Sequence, residues 1–177
     1  MAAQETTPMM KQYLDMKSRH PDSILFFRMG DFYEMFHEDA KKASRILDIA
    51  LTSRNKNSAD PVPMCGIPYH AADTYIARII KEGLKVAICE QVEDPKLAKG
   101  VVRREVIRIV TPGTVIDSSL LDSKRNNYLG AIYPFKDIYG FAVLDVSTGE
   151  FKITEFAGTD AFEALSDEIE TLDLKEI

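Results

Sequence analysis

The stretch Met29-Gly30-Asp31-Phe32-Tyr33-Glu34-Met35-Phe36 follows directly on the apolar run Ile24-Leu25-Phe26-Phe27 and Arg28. A short apolar, aromatic run bounded by turn residues predicts a buried strand ending near Met29. Gly30 and Asp31 are turn formers, glycine through its backbone freedom and aspartate through its local hydrogen bonding. If the chain resumes as a strand from Asp31 to Phe36, side chains alternate, and Phe32, Glu34 and Phe36 share one face. Phe32 and Glu34 then stand roughly 6–7 Å apart, about two base-pair rises of B-DNA at ~3.4 Å each. An aromatic wedge beside one hydrogen-bonding group suits the probing of a deformable base step. The same spacing also describes a half-buried strand with one core Phe and one solvated Glu. Both readings stand on these residues alone.

The chain has 177 residues, room for one large domain or two small ones, and its 45% apolar content is ordinary for a protein that buries a core. The net charge of −6 is unevenly spread. Residues 1–110 hold 17 basic and 15 acidic side chains, net +2; residues 111–177 hold 5 and 13, net −8. That asymmetry places a boundary near position 111 and assigns any nucleic-acid contact to the first part, with a weak electrostatic footprint. Cys65 and Cys89 lack metal-ligand spacing, and His20, His37 and His70 do not complete a site, so both thiols are expected free in a reducing cytosol. The start, MAAQETTPMM, has no apolar signal core, and no run of 18 apolar residues occurs, which disfavours secretion and membrane insertion.

Thr7 and Pro8 form an N-cap and N1 pair for a helix reaching about Arg19, with Met10, Tyr13 and Leu14 as its apolar stripe. A second helix is expected from Glu38 to Leu47, with Ala40, Ala43 and Leu47 inward, then a short strand at Leu51–Arg54 and a polar loop from Asn55 to Pro63. Met64–His70 reads as a strand-to-helix connection leading into a helix at Ala72–Glu82 with Gly83 after its end. Val86–Cys89 and Val101–Val110 are expected strands, the latter with Arg104, Val106, Arg108 and Val110 on one side. From Tyr128 the pattern changes to alternating runs with turns near Lys136-Asp137 and Ser147-Thr148-Gly149, then an acidic helix from Asp160 to Leu172 with Phe162, Leu165 and Ile169 on one face.

There is no GxxxxGK[ST] and no GxGxxG motif. Asp31, Glu34, Glu38 and Asp39 form a carboxylate group of the kind a metal-dependent nuclease uses. However, Glu38 and Asp39 fall in the first turn of a helix, where acids favour the dipole without a metal; no metal ligands are assigned. Pro63–His70 is the second candidate surface, read as a close approach to a sugar-phosphate backbone at a helix N-terminus. Arg54 and Lys56 fall in a polar stretch and read either as phosphate contacts or as simply solvated, while Lys96, Lys99, Arg103 and Arg104 carry the same two readings and receive no role.

RMGDFYEMF (28–36), DPVPMCGIPYH (60–70) and RIVTPGT (108–114), in this order, resemble the amino-terminal part of the MutS family of bacterial DNA mismatch-repair proteins. The resemblance runs from about Thr7 to the end of the chain. It implies an α/β fold with a mixed β-sheet flanked by helices over residues 1–110, the mismatch-recognition domain. A linker over 111–127 and the beginning of a ribonuclease-H-like connector domain over 128–177 would follow, the whole reading as a fragment. It implies recognition of mispaired or unpaired bases, with Phe32 as a wedge stacking on the base and Glu34 hydrogen-bonding to it. Met29, Asp31, Arg54, Met64, Gly66, Pro68 and His70 would contact the DNA backbone or groove. It further implies no enzyme activity and no cofactor in this part, ATP and Mg being expected only in the full-length protein. The implied partners are duplex DNA carrying mismatches or small loops, a second copy of the same protein, and the downstream protein MutL. The implied location is the bacterial cytoplasm near the nucleoid. The competing class is a protein-interaction module without intrinsic DNA affinity.

Overall fold

The structure, a computed structural model, describes residues 7–55, 61–116, 121 and 124–177. The chain divides into two compact units, residues 1–110 and 111–177.

In the first unit, Thr7 accepts a hydrogen bond from Met10 N (3.3 Å), and Pro8 supplies a pre-set φ, so helix α1 begins there and runs Pro8–Arg19. Its buried stripe is Met9, Met10, Tyr13 and Met16; Leu14, expected inside, lies half-exposed because the face that meets the sheet centres on Tyr13. Strand β1 (Ser23–Met29) turns through Gly30-Asp31 into β2 (Phe32–Phe36), and α2 (His37–Leu47) follows without a break. Then come β3 (Thr52–Arg54), β4 (Val62–Pro68), a 3-10 turn (Tyr69–Ala71), α3 (Ala72–Lys81), β5 (Lys85–Gln91) and β6 (Arg104–Val110). The end of α3 is a Schellman motif: Gly83 N donates to Ile80 O and Leu84 N to Ile79 O, with Gly83 at φ +73°.

The six strands form one mixed sheet in the order β3-β4-β2-β1-β5-β6, in which only β1 and β5 run parallel. Alternation divides its core. Leu25, Phe27, Ala87 and Cys89 pack against Met9, Met10, Tyr13 and Met16 of α1. Ile24, Phe26 and Val86, of opposite parity, are equally buried on the other face, and α2 and α3 pack on β4 and β5 and on each other. Buried Asp39 of α2 satisfies Leu25 N (3.0 Å) and the Tyr13 hydroxyl (3.4 Å) and pairs with Lys17 (2.9 Å), tying α1 and α2 to the strand between them.

Two sequence expectations are corrected here. Val62–Pro68 is a strand within the sheet, where a loop to Pro63 and then a connection were expected. The prolines are tolerated because each sits where β4 has one neighbour: Pro63 faces only Ser53 of β3, and Pro68 only Phe32 of β2. In β6 the register shifts by one residue, so that Cys89 pairs with Val106 and Ile88 with Arg108, leaving Ile107 as the extra residue. The bulge reverses parity, and Val110 is buried on the face opposite Arg104 and Val106.

The second unit holds a 3-10 turn at Pro112–Thr114, closed by reciprocal Thr111–Thr114 capping, and an antiparallel sheet β7-β8-β9. Its strands are Tyr128–Phe135, Ile138–Asp145 and Glu150–Ala157, and α4 (Ala161–Leu172) packs on β8 and β9. Lys136, at φ +56°, makes the tight first turn. Asp145 organises the second by accepting from Ser147 N, Ser147 Oγ and Thr148 N. Ala161 and Leu165 are the buried residues of α4, whereas Phe162, expected on that face, is exposed. Of the expected 111–127 linker, residues 117–120 and 122–123 lie outside the described residues.

Candidate functional site

The β1–β2 hairpin closes on the pair Met29–Phe32 around a two-residue turn. Gly30 adopts φ +57°, a conformation that turns matching the strand twist require and glycine reaches without strain. Arg28 Nε donates to Gly30 O (2.5 Å), and Tyr69 N donates to Asp31 O (3.0 Å), fastening the turn to the end of β4. Phe32 therefore begins its strand at the rim of the sheet, 48% exposed.

Cross-strand register decides what surrounds it, because directly paired residues in a sheet share a face. Phe32 pairs with Met29 and Pro68, Glu34 with Phe27 and Gly66, and Phe36 with Met64. Met64 in turn pairs with Thr52, and Val62 with Arg54. Seven of the sequence candidates thus lie on one face, the face that α1 partly covers: Met29, Phe32, Glu34, Arg54, Met64, Gly66 and Pro68. Met29 and Met64 also pack onto the core beneath α1, so their inner atoms are structural. Asp31 is exposed in the turn. His70 is exposed in the 3-10 turn, edge-on to Tyr69 (centroids 5.9 Å apart). Met64 to Pro68 reach the surface as a strand face, which leads through the 3-10 turn into α3 at Ala72, where the sequence placed the helix start. Lys56 lies outside the described residues.

Gly66 is flat floor beside the ring. A Cβ at this position would stand 3.9 Å from Phe32 Cδ1, 3.7 Å from Glu34 Cγ and 3.4 Å from Tyr33 O, so its hydrogen leaves the space between ring and carboxylate open. Glu34 is half-buried. Arg54 Nη1 approaches its Oε2 at 3.6 Å, and that oxygen has no hydrogen-bond partner. Burial pushes the Glu34 carboxyl above the usual carboxylate range, while the Arg54 and Arg104 guanidiniums pull against that rise. The four carboxylates grouped by sequence do not converge. Glu38 pairs with Lys41 (2.6 Å), Asp39 with Lys17, and Glu34 with Arg54, and no cluster of three potential metal ligands occurs among the described residues.

Arg28, Tyr33, Glu90 and Arg104, to which the sequence assigned no role, also pack around the hairpin. On the opposite face, Arg28 lies over the Tyr69 ring (3.5 Å to the centroid) and pairs with Glu90 (3.4 Å), which also accepts from the Tyr33 hydroxyl. On the Phe32 face, Arg104 is buried against the Phe27 ring (4.8 Å to the centroid). It donates to Arg28 O (2.7 Å), Val102 O (2.8 Å) and Gln12 Oε1 (3.1 Å), and touches Met29 Sδ (3.3 Å). No local sequence signal marks these residues, since Arg28 and Glu90 meet only through the parallel pairing of β1 with β5.

An aromatic ring held proud of an open sheet face, with a carboxylate, an arginine and a bare glycine beside it, defines a mixed α/β domain built around a contact surface. The chain belongs to the MutS family: residues 7–119 match the family model for MutS domain I, and residues 127–177 match that for MutS domain II. It is 58% identical over 172 residues to the DNA mismatch repair protein MutS of Desulforamulus reducens, covering 97% of this chain and 20% of that protein. It is 57% identical over 171 residues to that of Acetivibrio thermocellus (97% and 20%), and 59% identical over 155 residues to that of Desulfosudis oleivorans (88% and 18%). The chain therefore spans at most 20% of the length of these relatives. Among the described residues no helix is long and apolar enough to cross a membrane.

Proposed function

We propose that this chain recognises mispaired or unpaired bases in duplex DNA, by entering the minor groove with Phe32 and offering Glu34 to the displaced base. The observation that carries the reading is the half-exposed Phe32 ring at the hairpin rim, on one face with Glu34 and the open floor at Gly66. Insertion unstacks a base step at a cost of a few kcal/mol. A mismatch stacks and pairs poorly, so the cost is lower there than in intact duplex, and specificity arises from deformability more than from reading base edges. An ionised Glu34 only accepts hydrogen bonds, so donation to a purine N7 requires the protonated form, toward which its burial already leans. Met29, Met64, Gly66 and Pro68 would form the floor on which the groove rests, with Arg54, Asp31 and His70 at its rim.

We infer that a full-length protein carrying this chain acts as a dimer, binds ATP with Mg and works with MutL in the bacterial cytoplasm. The sequence here holds no GxxxxGK[ST] or GxGxxG phosphate-binding loop. The test is a gel shift with matched and mismatched duplexes, using a full-length MutS protein that carries this chain as its amino-terminal part. Preference for the mismatch that disappears on Phe32→Ala supports the reading. Preference that survives it favours an interaction module instead.

A further inference from the structure

Glu34 stands between two arginines contributed from opposite edges of the sheet, Arg54 of β3 and Arg104 of β6. The two differ in freedom. Arg104 is 6% exposed, and its guanidinium is held by two backbone carbonyls and Gln12. Moving it would strip those acceptors of their donor inside the protein. Arg54 lies on the short edge strand, its side chain 36% exposed, and pairs with Glu34 at 3.6 Å, an ion pair too long for a hydrogen bond. Among the described residues it also lies at a distance over the Phe36 ring, 6.0 Å from the centroid. Among the described residues the other neighbours named around Glu34 carry no charge: Phe27 and Gly66 flank it in the sheet, and α1 contributes Gln12 beside Arg104. Arg28 and Glu90 lie on the opposite face.

A loosely held, half-exposed guanidinium is free to choose a better partner, and a phosphate is one, because arginine binds it with two parallel hydrogen bonds. We propose that Arg54 is a specificity-determining residue that exchanges partners: paired with Glu34 in the free protein, it moves to a DNA phosphate on binding, and Glu34 takes a proton from solvent as the cation leaves. The inference rests on the recognition surface proposed above. The balance is one proton taken up per site, converting the Glu34 carboxylate into a carboxylic acid whose O–H points to a base acceptor. Desolvation is then opposed only by Arg104, which stays in place. Engagement of the backbone thereby supplies the donor that the displaced base needs.

Two measurements test this. The first is the titration of the Glu34 side-chain carboxyl by carbon NMR in the 177-residue chain without DNA, for the parent, Arg54→Gln and Arg54→Lys. The expected result is a higher midpoint in Arg54→Gln and a parent-like one in Arg54→Lys, with the rest of the spectrum unchanged. The second is affinity for a mismatched duplex against pH and salt, in a full-length MutS carrying this chain. In the parent, affinity falls as pH rises between the free and bound Glu34 midpoints, approaching tenfold per pH unit for one proton taken up. In Arg54→Gln that dependence flattens because the free midpoint moves up toward the bound one, and the salt slope drops by about 0.9 for the lost phosphate. An unchanged Glu34 midpoint in Arg54→Gln, or parallel pH profiles, overturns the exchange. If Phe32→Ala still prefers mismatches, the recognition surface itself fails. If Phe32→Ala loses that preference while the pH profiles stay parallel, only the exchange fails.

Discussion

Replacing Phe32 by alanine is expected to leave the fold standing and remove discrimination, and the structure sets the scale of both effects. A fully enclosed phenylalanine withdraws about 200 Å² from water. With 48% of Phe32 exposed, about 100 Å² is withdrawn, a ceiling of about 2.5 kcal/mol at about 25 cal/mol/Å². Residual burial in the unfolded chain and the retained alanine Cβ lower this to about 1–2 kcal/mol. At the rim no cavity remains, because water fills the space. Phe27, three positions before the closing turn and 0% exposed, is the internal control: its truncation is expected to cost about 3–5 kcal/mol through lost contacts and a residual void. Urea unfolding of the two variants side by side reads the difference, and duplex binding by the full-length protein reads the functional loss, a mismatch-to-match ratio falling toward one. A Phe32→Ala protein as destabilised as Phe27→Ala would place the ring in the core and refute the wedge.

Glu34→Ala is expected to bind matched duplex at least as tightly as the parent, since the variant lacks a carboxylate that repels phosphates; weaker binding by a well-folded variant would contradict this. Gly66→Ala is expected to fold with stability equal to the parent or higher by about 0.4–1 kcal/mol, because a Cβ there makes only ordinary contacts and the unfolded chain loses freedom. The same methyl narrows the gap between Phe32 and Glu34, so mismatch affinity drops, and an unaltered affinity would remove Gly66 from the surface. Burial pushes the thiols of Cys65 to about 11 and Cys89 to about 12. Neither is expected to react with a disulfide reagent at pH 8 until the protein unfolds, and rapid native labelling would contradict their burial. The chain by itself, with a net charge of only +2 over residues 1–110, is expected to bind duplex weakly with a shallow salt slope, about 0.9 per phosphate contacted. Submicromolar binding with a steep slope in a fluorescence-anisotropy titration would locate the affinity here after all.

Local pattern was enough to read the strand–turn–strand at Ile24–Phe36, helices from Pro8, from Glu38 (one residue inside its observed start) and from Ala72, and the shared side of Phe32, Glu34 and Phe36. These depend on caps, on turn residues and on side-chain period, all set within a few residues of one another. Which other residues join that face was decided only in three dimensions. Met64, Gly66 and Pro68 lie beside Phe32 and Glu34 because β4 inserts between β2 and β3, and its prolines concealed a strand whose pairing partners make them harmless. Arg54 meets Glu34 across that inserted strand, and Arg104 meets the hairpin only because one bulged residue, Ile107, reverses the parity of β6. Register between strands tens of residues apart is settled by the burial and hydrogen bonding of the whole sheet, which no local window contains.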